Sequence, residues 1–271
     1  MVAQKTLALT LMLVAISCNS FKAVGGKDVL SIGEPPRWAY DLLDERKRDD
    51  IFEELKSQKS RGNKDPWVLM GLGRIYALKK HYNLSLSSYK KVLEDYPHLP
   101  EAKIEMASIY YHQNKLTKSL ELLSTLGDTN SSLMFDKALV YFKMGEEARS
   151  LENINACISL GNTTCEAMEF KAMLLLKTRY YHKAKKMLQR LHLDFPHNTF
   201  AIKNLFWMEH SKGDLRNRDS LIKELRQLET HWSSSTAGVI DSMRGYFPYP
   251  PESDFHFRDW FGRPWKLGRE Q

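Results

Sequence analysis

Three cysteines in 271 residues are too few for a disulfide framework or a four-cysteine zinc site. With Gly 14 and Pro 10, the chain is poor in the residues that all-β and collagen-like proteins use heavily. Long apolar runs are scarce: only one approaches membrane length, and the mean hydropathy is -0.46. A multi-span membrane protein is thereby excluded. There is no His-Glu-x-x-His, no Cys-x-x-Cys and no phosphate loop. The nine histidines are scattered, and no Ser, His and Asp arrangement can be argued from spacing. No cofactor or metal is implied, and the expectation is a non-enzymatic protein. What is present is 42% hydrophobic and 27% charged residues, enough apolar material for a core, which excludes a wholly disordered chain. The length suits one large domain or two ordinary ones. Lys+Arg 40 against Asp+Glu 33 gives +7, a balance compatible with an anionic partner.

The N-terminus reads as an address. Lys5 precedes an uncharged run from Thr6 to Cys18. As a helix that run spans about 20 Å, short of the ~30 Å bilayer core. It has the length and flank of a secretory h-region, so residues 1–17 are expected to be a signal peptide. Ala15-Ile16-Ser17-Cys18 resembles the lipobox of bacterial lipoproteins. Ile16 is bulkier than usual, and Ala15 stands where Leu is common. The resemblance implies lipidation at Cys18 and attachment to a cell membrane or outer membrane. Residues 18–36, with Gly25-Gly26 and Pro35-Pro36, then read as a tether with a span of about 20–25 Å. The alternative is cleavage near Ser17 or Ser20 and a soluble secreted or periplasmic product.

Residues 66–231 carry a period of 34. Asp95-Tyr96-Pro97 and Asp194-Phe195-Pro196 set the frame, with each proline at position 32. Units start near 66, 100, 131, 165 and 199, the third after a junction shortened by three residues. Small residues fall at position 8 (Gly73, Ala107, Ala138, Ala172) and position 20 (Ser85, Ser119, Ser150, Ala184). Large residues fall at 11, 24 and 27, as Tyr76, Tyr89 and Val92 do in the first unit. Small residues let two helices approach closely, large ones fill between them, and proline ends the second helix. The fifth unit is weaker, with Phe206 and Arg218 at the small positions. Such units leave one face unburied and must stack.

This pattern resembles the tetratricopeptide repeat (TPR). The resemblance implies an all-α solenoid of paired helices. Residues 37–65 are expected to form an N-terminal helical cap or degenerate repeat. In TPR proteins the first helix of each unit lines a concave groove. Carried onto this chain, the groove positions are Trp67, Met70 and Arg74; Ile104, Tyr111 and His112; Phe135, Leu139, Phe142 and Lys143; Met173 and Lys177; and Lys203, Trp207 and His210. Aromatic residues and arginine are enriched in binding hot spots. The bland alternative is that these side chains cover one another or the neighbouring helix. Residues 232–271 are expected to form a separate arm, rich in aromatics and proline, that packs on the solenoid or on a partner. One specific form of this has Trp260, Phe261 and Trp265 filling the groove.

Other features carry less. Gly71-Leu72-Gly73 is half a nucleotide fingerprint but lies inside a helical pattern. Cys157 and Cys165 could bridge in an oxidising compartment or stay as packed thiols. Lys79-Lys80, Lys90-Lys91 and Lys185-Lys186 could favour an anionic membrane or simply face solvent. Asn83, Asn130 and Asn162 begin sequons that matter only in a secreted eukaryotic chain. The leading expectation is a membrane-anchored scaffold of a bacterial cell envelope for a protein or peptide partner, with no nucleic acid. Leader, tether and solenoid together look like the TPR lipoproteins of outer-membrane-protein assembly and type IV pilus assembly. The alternative is a soluble accessory whose groove takes a small apolar ligand.

Overall fold

The computed structural model describes residues 34–42, 44–128 and 130–228, and all regular structure among them is helical. The leader, Cys18, the tether to residue 33 and the 232–271 arm lie outside the described residues. Two helices come first, α1 (Arg37–Asp41) and α2 (Glu45–Ser60). Five pairs follow: α3 (Pro66–Leu78) with α4 (Tyr82–Asp95), α5 (Pro100–His112) with α6 (Leu116–Ser124), α7 (Ser131–Lys143) with α8 (Glu147–Ser159), α9 (Cys165–Lys177) with α10 (Tyr181–Asp194), and α11 (Thr199–Lys212) with α12 (Leu215–Leu228). This is a TPR-like α-solenoid fold. Among the described residues it falls into two compact units, 34–136 and 137–228.

Local chemistry sets the helix ends. Pro66 and Pro100 open α3 and α5, where a missing N–H costs nothing. Asp65, Thr164 and Asn198 accept hydrogen bonds from Trp67, Ala167 and Ala201 backbone N–H groups at the starts of α3, α9 and α11. The helix α6 has only 9 residues against 14 in α4 and α10, which accounts for the shortened junction before α7.

Every pair turns in the same way. Position 15 of each unit is left-handed: Lys80 (φ 60), Asn114 (φ 58), Gly145 (φ 79), Arg179 (φ 62) and Gly213 (φ 76). The next residue's N–H bonds back to the carbonyl of position 11, in His81→Tyr76, Lys115→Tyr110, Glu146→Tyr141, Tyr180→Leu175 and Asp214→Glu209, at 2.8–3.0 Å. That is the Schellman closure, which satisfies carbonyls a helix end would otherwise leave open. Glycine is the easy residue there, yet only two of the five turns use it. The lysine, asparagine and arginine are held left-handed by the turn's hydrogen bonds, at a conformational cost of about 1 kcal/mol for the two long side chains.

The two helices of a pair meet at positions 8 and 20. Ser85 Oγ donates to the Gly73 carbonyl at 2.6 Å, Ser119 Oγ to Ala107 at 2.7 Å, and Ser150 Oγ to Ala138 at 2.8 Å. All three serines are fully buried. The hydroxyl thus finds an acceptor on the facing helix, so the polar group is buried without penalty. The fourth pair has Ala172 and Ala184 and makes no such bond. In the fifth, Phe206 is buried and Arg218, its side chain largely covered, donates to Asp219.

Gly71 and Gly73 are packing residues. A Cβ on Gly71 would lie 2.5 Å from the Trp38 ring and 2.7 Å from Leu55, and one on Gly73 would lie 2.9 Å from the Tyr89 ring. Gly71 therefore seats α1 and α2 against α3, and Gly73 seats α4. This Gly-Leu-Gly lies inside α3 and not between a strand and a helix, so its nucleotide reading has no structural basis.

Replacing Ser119 by Ala should cost about 0.5–1.5 kcal/mol, the usual net worth of one hydrogen bond. Replacing it by Leu should cost more, about 1–3 kcal/mol, because the facing backbone leaves no room. Urea unfolding midpoints at unchanged slope would check both, and equal losses would show that the hydroxyl and not the spacing governs.

Candidate partner-binding residues

In the unit spanning 34–136, the helices α3 and α5 carry six candidate groove residues. Trp67, Met70, Arg74 and Ile104 are buried, while Tyr111 and His112 are half-buried. Tyr111 and His112 meet edge to face at 5.5 Å. Phe135, on α7, is fully buried. Arg74 is directed at the next helix pair: its guanidinium lies 2.5 Å from Glu105 Oε1, with both side chains buried. Tyr89 Oη donates to the other Glu105 oxygen at 3.1 Å. Burial, and then the neighbouring Glu105 carboxylate, push the Tyr89 phenol well above the ordinary tyrosine range. The position-9 cation, the position-24 tyrosine and the next unit's position-6 carboxylate thus form one network across α3, α4 and α5. The sequence frame singled out Arg74 and Tyr89, but not Glu105. An acidic residue amid Ile104, Met106 and Ala107 on a core-facing helix was the available signal.

In the unit spanning 137–228, Leu139, Phe142 and Met173 are buried, and Lys143 and Lys177 are exposed. Phe142 packs edge to face on Phe170 at 5.5 Å, and Lys177 Nζ stands 4.4 Å over the Phe142 ring. Lys177 also lies 3.5 Å from Glu147. On α11, Lys203, Trp207 and His210 are half-buried, and the Trp207 and His210 rings are 5.6 Å apart. His210 stacks on buried Phe206 at 5.9 Å. Of the fifteen candidates, then, eight are buried within the protein. The accessible remainder is aromatic or cationic: Tyr111, His112, Lys143, Lys177, Lys203, Trp207 and His210.

Cys157 and Cys165 are free thiols, so no bridge joins them. Cys157 is fully buried on α8. Cys165 opens α9 and is engaged elsewhere: Asn198 Nδ2 lies 3.1 Å from its sulfur, and the sulfur lies 3.7 Å from Glu169 Oε1. Asn198 also donates to Glu169. Burial, and then the Glu169 carboxylate, push the Cys165 thiol up to about 11, far from a reactive thiolate at neutral pH.

The described residues include clefts open to solvent. One, of about 390 Å³, is lined by Lys80, His81, Tyr82, Asn83, Leu84 and Gln113. Another, of about 610 Å³, lies among α10, α11 and α12, with His192 paired to Glu224 at 3.0 Å on its wall. None of the fifteen candidates lines either cleft. Among the described residues no three His, Cys, Asp or Glu side chains come together as a metal site, and no helix is long and apolar enough to cross a membrane.

Solved structures with a similar fold include TPR proteins. The fold is similar to that of YrrB, described as a TPR protein with an unusual peptide-binding site, at 13% identity and a TM-score of 0.54, covering 71% of this chain and 99% of that one. It is similar to a tetratricopeptide repeat protein from Parabacteroides merdae, at 16% identity and a TM-score of 0.55, covering 74% and 80%. It is also similar to PilF of Pseudomonas aeruginosa, at 16% identity and a TM-score of 0.53, covering 73% and 97%. In sequence, 112 residues are 28% identical to a tetratricopeptide repeat protein 30 homolog from Caenorhabditis briggsae. The match takes in 40% of this chain and 17% of that relative's length. No protein-family model matches the chain.

Glu105→Ala should destabilise the protein by about 3–5 kcal/mol, because it strands the buried Arg74 charge. Chemical unfolding monitored by helical circular dichroism would measure this. A loss under about 1 kcal/mol would place the Arg74–Glu105 contact outside the folding core.

Proposed function

We propose that this protein is a non-enzymatic docking scaffold for a protein or peptide partner, exported and held at a bacterial envelope membrane through a lipidated Cys18. The observation that carries the docking half is the repeated helix pair. Five such pairs present first-helix side chains at one spacing, and those that stay accessible are aromatic and cationic, the types that dominate binding energy. The YrrB likeness, in a fold described there with a peptide-binding site, points the same way by analogy. The anchoring half rests on the sequence: one cation, a short uncharged run, and Ala15-Ile16-Ser17-Cys18 at its end. A diacylglycerol and an N-linked acyl chain exceed the single-chain limit for stable attachment. A tether of the length read here would keep the folded body within a few tens of ångströms of the surface.

One preparation tests both halves. Protein extracted from membranes should have an intact mass that begins at Cys18 with added acyl groups, and Cys18→Ala should lack them. A mature chain cleaved elsewhere without lipid would overturn the anchor.

The same extract should retain a polypeptide partner. Trp207→Ala should weaken that retention at least about tenfold, the mark of a hot-spot aromatic, while Trp207→Phe keeps most of it. Recovery of a small apolar molecule in place of a polypeptide would favour the carrier alternative.

A further inference from the structure

The stretch from Lys177 to Leu193 contains six lysines and arginines and no acidic residue. Within it, α10 turns Ala184, Leu188 and Leu191 fully inward. At 3.6 residues per turn, this sets Lys183, Lys186 and Arg190 on the opposite side, within an arc of about 60°. All three are exposed. Arg179 is exposed as well, at the left-handed turn just before the helix. Tyr180 and Tyr181 are 52% and 58% exposed, and Lys183 Nζ stands 5.1 Å over the Tyr180 ring. Leu193, 78% exposed, lies on the same outward side.

Carboxylates reach the lysines and arginines of this stretch at three points. Glu147 meets Lys177, Glu209 meets Lys185, and Asp194 meets Arg190 at 3.4 Å. The last is an exposed i,i+4 pair, easily exchanged for another anion. Among the described residues no carboxylate lies within ion-pair distance of Arg179, Lys183 or Lys186. The positive field extends to α9, where burial and then Arg190 hold the Lys171 ammonium below the ordinary lysine range. The doublet Lys185-Lys186 is therefore split in role: Lys185 is tied to Glu209, and Lys186 belongs to the outer face.

We propose that this face of α10 contacts the anionic headgroups of a membrane surface. The reading rests on, and deepens, the membrane-held scaffold proposed above. Lysine and arginine near an anionic leaflet are each attracted individually. Tyrosine carries an apolar ring with a polar tip suited to the headgroup level. An acidic polypeptide in solution would be met by the cations alone, and would leave the exposed Tyr180 ring and Leu193 without an apolar counterpart.

The full chain with its native N-terminus is mixed with vesicles of phosphatidylcholine alone, and with vesicles in which part is replaced by phosphatidylglycerol. Bound fractions are measured by co-sedimentation at low and high salt. The readout is the ratio of anionic to neutral affinity, from which the anchor's contribution cancels. Each cation is expected to contribute about fivefold, so the triple variant Arg179→Gln, Lys183→Gln, Lys186→Gln should lose roughly a hundredfold of the ratio at low salt with helical content unchanged. High salt should collapse the wild-type ratio toward one. Tyr180→Ser with Tyr181→Ser should lower binding to the anionic vesicles with the salt dependence intact. A triple variant that keeps the wild-type ratio overturns the proposal. So does a wild type that ignores phosphatidylglycerol but binds a soluble polyglutamate or oligonucleotide. If Cys18 carries no lipid, neutral-vesicle binding drops while the ratio survives, so failure of the anchor is told apart from failure of this face.

Discussion

Two helix backbones come close enough for a serine hydroxyl on one to reach a carbonyl on the other only where neither side chain intervenes. That constraint, met at positions 8 and 20, governs the rest of this fold. In the first four pairs it is met by Gly, Ala or Ser at both places, and so puts the period into the sequence. It sets the distance that Tyr89, Val92, Leu123 and Leu188 then fill. It also requires a turn that reverses the chain in a few residues, which the left-handed position 15 supplies. Gly73 shows how tight the tolerance is, since its missing Cβ is where the Tyr89 ring sits.

Polar groups are placed by the same logic. Within a pair the buried hydroxyls bond the facing backbone. Between the first two pairs the polar contact is charged, with Arg74, Glu105 and Tyr89 satisfying one another away from water. Toward the C-terminus the inter-pair charges move outward: Lys185 with Glu209 is partly exposed, and His192 with Glu224 lies on the wall of an open cleft. Cationic and aromatic side chains stay accessible at two places. On the first helices these are lysines and half-buried aromatics. On α10 they are cations, with Tyr180 beside Lys183.

The paired-helix architecture was readable because backbone approach restricts residue size, and size is visible in a sequence. Position 15 was harder to read. Only Gly145 and Gly213 advertise a left-handed residue, while Lys80 and Arg179 adopt it under the pull of the turn's hydrogen bonds. The serine bonds were also hidden, because at position 20 a serine and an alanine look alike as small residues. Least readable was accessibility. Met70, Arg74 and Ile104 carry the side-chain types of a recognition surface, but spacing alone cannot tell a first-helix side chain that faces a partner from one that faces its own neighbours. Glu105 escaped notice because its partner lies 31 residues away in the chain, beyond any local pattern.

The buried contact between Arg74 and Glu105 also bears on heat. A solenoid of this kind comes apart as a linear array, each pair held by its own core and by its neighbours. The cost of stripping water from two charges falls as temperature rises, whereas apolar burial gains little more. The junction between the first and second pairs is thus relatively strengthened on warming. Among the described residues the fourth and fifth pairs show no serine-to-backbone contact between their two helices, and their Lys185–Glu209 ion pair is partly exposed. Melting is then polarised, with fraying from the α11–α12 end and the Trp67–Met106 region as the last ordered segment.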